Sequence, residues 1–387
     1  MADPRVTGPN SPDGTTGDSA LARTWRGRQV LVTGHSGFVG SYLTTALLHL
    51  GADVVGYAAD EDAATEERAA DLAAFGAHGV RGDIRDADAV YDVMARRRFD
   101  VVFHLAAQPL VSAGLTDPRT TLSTNIGGSI NVLDAARRCG PAALVHVTSD
   151  KAYRNREWPW PYREVDDLGG GCPYSVSKAA AELIFEAYAE RLRATGGPTR
   201  AASVRFGNVI GGGDHAANRL VPDLLTALTA GDPVRLRRPD AVRPWQHVLD
   251  VVHGLLLLGD ALIDGTVAGG EVFNFAPPGD GASVEELVRA LNAAWAATGR
   301  PPSPVITEPV ADLAEDHLLR LDGRRAATAL HWRHHFDLTR AAADIAAWQQ
   351  SVLRGDRPHE VTARHIKNFF GPVGPAGHDA RQAEHTP

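Results

Sequence analysis

Tyr174 and Lys178 stand four positions apart in Tyr174-Ser175-Val176-Ser177-Lys178, and Thr148-Ser149-Asp150-Lys151 lies upstream. Of 39 basic residues only three are lysines, Lys151, Lys178 and Lys367, and two of these fall in the two short stretches. Arginine serves wherever a solvated positive charge is enough, whereas a compact, titratable ammonium requires lysine. Residues i and i+4 share a helix face, so phenol and ammonium are neighbours if the stretch is helical. A free phenol, with a pKa of about 10, is a poor base at neutral pH, but a cation beside it stabilises the phenolate. A tyrosinate tuned in this way takes a proton from a hydroxyl group, and Ser149 can hold the same hydroxyl by a hydrogen bond. The competing reading of Tyr-x-x-x-Lys is an ordinary pair on a helix surface.

The elements around the pair argue against that competing reading. Gln29 to Thr33 reads as a buried parallel strand opening into Gly34-His35-Ser36-Gly37-Phe38-Val39-Gly40, and a helix follows to Leu50. Gly34 permits the tight turn, Gly37 lets backbone N–H groups approach a pyrophosphate, and Gly40 lets the helix pack close to the strand. The helix N-terminus adds partial positive charge for the phosphates. Further strands are expected over 53–57, up to Gly82-Asp83-Ile84, and over 100–105, 143–147 and 199–206. The fold class is therefore α/β, a Rossmann-type doubly wound parallel sheet. Asp83 is placed either to meet an adenine edge or to cap the next helix, with Asp86 as the competing cap. Leu105-Ala106-Ala107-Gln108 follows the fourth strand, and its small residues allow close approach of a cofactor. A helix expected over 118–138 carries Thr124 and Asn125 on its inner side, as a core network or a site wall. Tyr57-Ala58-Ala59 stands where an acidic residue would select NAD over NADP, and Arg68 reads as part of a solvated helix face. The 148–151 stretch leaves the carboxyl end of the fifth strand, where open parallel sheets bind ligands. With an oxidised nicotinamide there, Tyr174 would deprotonate a sugar hydroxyl as hydride leaves the same carbon for NAD⁺.

A length of 387 residues, 44% of them hydrophobic, is ordinary for a soluble globular protein, and a net charge of −8 argues against a nucleic-acid surface. Cys139 and Cys172 fit neither a disulfide framework nor a metal site, and a cytoplasmic location suits them. No apolar run reaches the length of a membrane span. Residues 1–25 and 371–387 read as disordered tails. Residues 26–206 read as the NAD-binding domain, with returning segments around 243–275, and residues 207–368 mainly as a smaller α/β substrate-binding domain. The aromatic loop 155–162 either packs on its own domain or forms a lid.

These residues resemble the extended short-chain dehydrogenase/reductase family, and within it the dehydratases that act on CDP-glucose. The resemblance spans about Trp25 to Lys367. It rests on Val32 to Phe38, Phe103 to Val111, Val147 to Lys151, Asn155 to Trp158, Pro173-Tyr174-Ser175, Gly207 to Asp214 and Arg243-Pro244-Trp245-Gln246-His247-Val248. Ser-Asp-Lys at 149–151, where most sugar dehydratases carry Thr-Asp-Glu, and Arg-Pro-Trp-Gln-His-Val are its most specific parts. The resemblance implies a nucleotide-sugar 4,6-dehydratase. C4 of the glucosyl unit is oxidised through Tyr174 and Lys178, water is eliminated across C5 and C6, and the hydride held by NAD returns to C6. Asp150 is the implied acid for the C6 hydroxyl. Lys151 stands where relatives place the C5 base, and is either that base or an orienting, enolate-stabilising cation. Gly34 to Gly40, Asp83, Ile84, Leu105 to Gln108, Thr124, Tyr174 and Lys178 are implied cofactor contacts. Gln108, Asn125, Asn208, Arg219, Arg243 and His247 are implied substrate contacts.

Three stretches depart from the family pattern: Ser112 to Leu115, His215 and Gly171-Cys172. All lie toward the expected substrate side. A nucleotide-sugar 4-epimerase on the same scaffold is the alternative, and it would need no Asp150-Lys151 pair. The family also implies a homodimer or dimer of dimers built on the helices 118–138 and 174–193.

Overall fold

The apolar runs become a seven-stranded parallel sheet covered on both faces. In the computed structural model, which describes residues 20–59, 62–216, 218–308 and 316–373, the strands are β1 Gln29–Thr33, β2 Asp53–Ala58, β3 His78–Arg81, β4 Val101–His104, β5 Ala143–Val147, β6 Arg200–Arg205 and a last strand Glu271–Asn274. Their order is Glu271–Asn274, β6, β5, β4, β1, β2, β3. Side-chain alternation explains the two-sided burial. Val30, Val32, Val54, Phe103, Val145 and Val204 enter one core, while Leu31, Val55, Val102, Leu144 and Ala201 enter the other.

Helices α1 Ala20–Trp25, α2 Phe38–His49, α3 Ala63–Ala74, α4 Ala87–Ala95, α5 Val111–Thr116, α6 Pro118–Leu122, α7 Gly128–Cys139 and α8 Pro173–Ala194 precede β6. After it come α9 Leu220–Ala230, α10 Val248–Asp264, α11 Val284–Ala297, α12 Arg324–Ala329, α13 Leu338–Leu353 and α14 Pro358–Phe370. Residues of α1, α2, α10 and α14 fill the first core, and residues of α4, α7 and α8 fill the second. Strand order reverses between β1 and β4, which opens a crevice at their carboxyl ends. Apart from Glu271–Asn274, the strands past β6 pair two by two: Val209–Ile210 with Gln246–His247, Val242–Arg243 with Ala282–Ser283, and Val234–Leu236 with Val305–Thr307. Among the described residues no helix is long and apolar enough to cross a membrane.

Several expectations need correction. The N-terminal tail expected through residue 25 includes a helix, because Leu21, Ala22 and Trp25 share a face that is buried. The Trp25 ring lies 5.8 Å from that of Phe103. Residues 1–19 lie outside the described residues. The C-terminal tail begins later than residue 371: His49 Nε2 is 2.8 Å from the Gly371 carbonyl oxygen, and Val373 packs on the core. Residues 374–387 lie outside the described residues. The last helix, α14, expected on the substrate side, packs on α2 of the nucleotide-binding half. The helix expected over 118–138 is interrupted by a π turn at Ser123–Gly127 that contains both Thr124 and Asn125.

Candidate active site

The turn from β1 into α2 has the shape a pyrophosphate needs. Gly34 adopts φ +74°, and a Cβ there would lie 2.7 Å from the Ala106 nitrogen. A Cβ on Gly40 would lie 2.0 Å from the Gly34 carbonyl oxygen, so both positions exclude any side chain. Gly37 is the N-cap of α2 and offers no side-chain cap, which leaves the first-turn N–H groups for an anion. Leu105 and Ala106 hang on Thr33, the former donating to its carbonyl at 3.1 Å and the latter to its Oγ1 at 3.3 Å. Ser36, Phe38 and Val39 complete the turn. The His35 ring faces inward over Gly56, where a Cβ would overlap it. Arg68 is not on a solvated face, because its Nε donates to the Ser36 carbonyl at 2.6 Å and braces the turn. Asp83 is not a helix cap; Asp86 caps α4. The Asp83 carboxylate is already engaged by Arg85, whose Nε donates at 2.8 Å. Ile84 is buried against Gly128. The cradle thus fits a dinucleotide.

At the carboxyl end of β5, Ser149 caps the short 3-10 turn Asp150–Ala152 and donates to Asp150 Oδ1 at 2.9 Å. Tyr174 and Lys178 lie in the first turns of α8, which opens with Cys172 as cap and Pro173 at N1. Both side chains are buried. Burial pushes the Tyr174 phenol up to about 12, opposed by hydrogen bonding with Ser149 and by the charge of Arg219. Burial pushes Lys178 down to about 8, with Glu182 pulling the other way. The Asp150 carboxyl is 2% exposed, and its Oδ2 has no hydrogen-bond partner. Burial raises its pKa against the pull of Lys151, Ser149 and Arg243. Asp150 rests on Gly207, where a Cβ would come within 1.8 Å of Oδ2. A carboxyl group so placed keeps its proton more readily and has an oxygen free to donate it.

In front of Asp150 is a cavity of ≈370 Å³ lined by Asp150, Lys151, Tyr153, Asn155, Ser175 and Asp316 among others. Lys151 Nζ lies 3.5 Å from Asp316 Oδ2. Arg243 is buried and holds the same segment, donating to the carbonyls of Asp316 at 2.5 Å and His317 at 3.3 Å. Arg219 pairs with Asp214 at 3.1 Å. Asn208 takes a left-handed φ of +46° and accepts from Gln246 N through its carbonyl.

Like Arg243 and Arg219, three further implied substrate contacts have their side chains committed within the protein. Gln108 donates to Thr121 Oγ1 at 2.6 Å and Leu110 O at 3.0 Å, while its Oε1 accepts from Leu110 N. Asn125 is buried, accepts from Gln108 N at 2.8 Å and donates to Ser177 Oγ at 2.9 Å, so it is a core network. His247 is fully buried, stacks on Phe336 at 4.0 Å and reaches Asp344 at 3.1 Å. Its Nδ1 accepts from Leu249 N, which caps α10. The aromatic loop packs on Tyr153, with Tyr162 5.2 Å from it and 5.1 Å from Trp158, and equally on the later segment, where Asn155 Nδ2 donates to the Leu318 carbonyl at 3.0 Å and Tyr162 N to that of Arg320 at 2.9 Å. Sequence reasoning missed Asp316, Gly207 and Glu182. Only Glu182, one further helical turn past Lys178, carried a local signal.

A Gly-lined dinucleotide cradle opposite a Tyr/Lys/Ser set at the strand ends defines an NAD-dependent sugar-modifying enzyme class. The chain belongs to the NAD dependent epimerase/dehydratase family, whose model matches residues 30–275. It is 36% identical over 362 residues to the CDP-glucose 4,6-dehydratase of Salmonella typhimurium, covering 89% of this chain and 97% of that one. It is 30% identical over 324 residues to a UDP-glucose 4-epimerase of Mycolicibacterium smegmatis, covering 81% of this chain and 96% of the relative. Among solved structures, the dTDP-glucose 4,6-dehydratase of Streptomyces venezuelae with NAD bound superposes with a TM-score of 0.72 at 26% identity, over 86% of this chain and 99% of that one. The chain is thus an NAD-dependent enzyme with the extended Rossmann-type fold.

Proposed function

We propose that the enzyme is a nucleotide-sugar 4,6-dehydratase that converts CDP-glucose to CDP-4-keto-6-deoxyglucose. The observation that carries this reading is Asp150, a buried carboxyl with an unpartnered oxygen beside the Tyr174–Ser149 pair and facing the cleft. An epimerase needs no such acid. NAD would be held by the Gly34–Gly40 turn, with Leu105 to Ala107, Thr124, Tyr174 and Lys178 as further contacts, and would supply a hydride acceptor for C4 and a donor for C6. Ser149 orients the C4 hydroxyl, and Tyr174 takes its proton as the Lys178 ammonium and the first turn of α8 stabilise the phenolate. The ketone at C4 makes the C5 proton acidic. Asp150 then protonates the C6 hydroxyl as it departs. The C5 proton passes to Lys151 as the neutral amine; the ammonium so formed, with Asp316 3.5 Å away, stabilises the enolate and gives the proton back to C5 as hydride reaches C6. Arg243, Arg219 and Asn208 are the residues read as meeting the diphosphate and nucleotide, with arginine suited to phosphate by its fork of donors once it leaves its present partners.

The test is incubation with CDP-, dTDP-, UDP- and GDP-glucose, with product mass as the readout. Loss of one water from CDP-glucose alone is the expected result. Conversion to an isomer of equal mass would favour an epimerase. The enzyme is further read as a cytoplasmic homodimer. Val176 and Leu183 on α8 and Ile130 on α7 are large apolar residues left exposed, and the same faces of a second copy would cover them. Leu183→Asp is expected to yield a monomer in sedimentation.

A further inference from the structure

In the wall of the cavity beside Asp150 stands a guanidinium that nothing in the protein neutralises. Arg154 lines that cavity together with Lys151, Gly170, Ser175 and Asp316. Its side chain is exposed and, among the described residues, makes no hydrogen bond, ion pair or ring contact. The acids around it are all engaged by other groups. Asp167 accepts Arg154 N through its carbonyl at 2.9 Å, but its carboxylate pairs with Arg156 at 2.7 Å. Asp166 pairs with Arg163 at 3.0 Å, and Asp316 with Lys151 at 3.5 Å. Glu157 accepts from His317 N, and Glu164 from Asn274 N at 2.8 Å. Asp150 has its pKa raised by burial, which favours its uncharged form.

The backbone nevertheless fixes where this cation lies. Tyr153 bridges Leu168 in antiparallel fashion, and Gly169 N donates to the Ala152 carbonyl at 2.9 Å. The Arg154 side chain is thereby laid on Gly169, whose φ is +150°, and a Cβ there would lie 3.2 Å from Arg154 Nε and 3.3 Å from Nη2. Gly170 rests in turn on Ser175, in the first turn of the helix that carries Tyr174. A cation without a counter-charge in a cleft attracts an anion from the ligand. In the nucleotide sugar read as substrate the glucosyl unit is neutral, and the charge lies in the diphosphate. With the sugar at Asp150, the phosphate nearest the cavity is the one that bears the sugar. Arg243 must leave the carbonyls of Asp316 and His317, and Arg219 must leave Asp214, before either meets a phosphate. Arg154 has no partner to leave.

We propose that Arg154 is a substrate-binding residue that takes the sugar-bearing phosphate of the nucleotide sugar with its fork of donors. The proposal rests on the nucleotide-sugar reading, but not on the identity of the base. In CDP the phosphate in question is the terminal one, and CMP lacks it. Both are titrated calorimetrically into the full-length enzyme in the presence of NAD⁺. Arg154→Ala is expected to weaken CDP roughly tenfold or more, the effect of losing a charge-assisted contact, and to leave CMP unchanged. Arg154→Lys keeps the charge without the fork and is expected to fall between. The side chain removed is exposed and bonded to nothing, so the variants are expected to unfold at the wild-type midpoint. Unchanged CDP affinity in Arg154→Ala, or an equal loss for CDP and CMP, overturns the proposal. The titration is repeated with dTDP, UDP and GDP. Tightest binding of one of these, weakened by Arg154→Ala, would move the substrate and keep the role of Arg154. Binding of none of the four to the wild-type enzyme would overturn both.

Discussion

Two buried carboxyl groups flank the carboxyl end of β5, and the molecule keeps them in opposite conditions. Glu182, on the sheet side, accepts from Thr148, Ser203 and Arg205. Asp150, on the cleft side, has Ser149 on one oxygen and nothing on the other. A carboxylate whose lone pairs are filled belongs to the scaffold, and a buried one left short is held for a proton transfer. The region behind the strand end is therefore closed and rigid, and the region in front is incomplete until a substrate enters.

The sharpest division between the two regions is in turnover. Tyr174→Phe, in the front region, is expected to lower turnover on the order of 10³-fold, with NAD still bound in equilibrium dialysis. Gly207→Ala is expected to cost on the order of 10²-fold, because the new Cβ occupies the place of the Asp150 carboxyl. Stability should divide the other way. Glu182→Gln is expected to cost about 3 kcal/mol in denaturant unfolding, since it strands a buried charge. Asp150→Asn is expected to change stability by less than about 0.5 kcal/mol, since it removes a carboxyl that burial disfavours. The smallest effect is on pH. Lys178 must be charged, a form present below about 8 and lost above it. Asp150 must be protonated, and its raised pKa is likewise exceeded as pH rises. Lys178 therefore predicts a decline in turnover as pH rises through about 8, with Asp150 acting in the same direction, measured across a pH series at saturating substrate.

What was legible in the sequence follows the same division. The β1–Gly34–α2 turn and the Tyr174–Lys178 spacing are local patterns, set by backbone geometry over a few residues, and the structure forms both. The roles of Asn125 and His247 depended on partners far along the chain, and that of Gln108 on Leu110 and Thr121. Asn125 meets Ser177, and His247 meets Phe336 and Asp344. Their motif positions did not reveal that these partners would satisfy them. Trp25 was hidden for a similar reason: Met1 to Thr24 has a tail-like composition, and only the sheet shows the short helix ending at Trp25 where to bury. Glu182 and Arg205 drew no reading from the sequence, because only β6 brings them together.

The most direct test of the central claim is Asp150→Asn mixed with CDP-glucose, followed by nicotinamide absorbance and product mass together. The account predicts that reduced nicotinamide accumulates on the enzyme while no water is lost from the sugar. Full turnover to the dehydrated product would contradict it, because the proton for the departing hydroxyl would then come from another group.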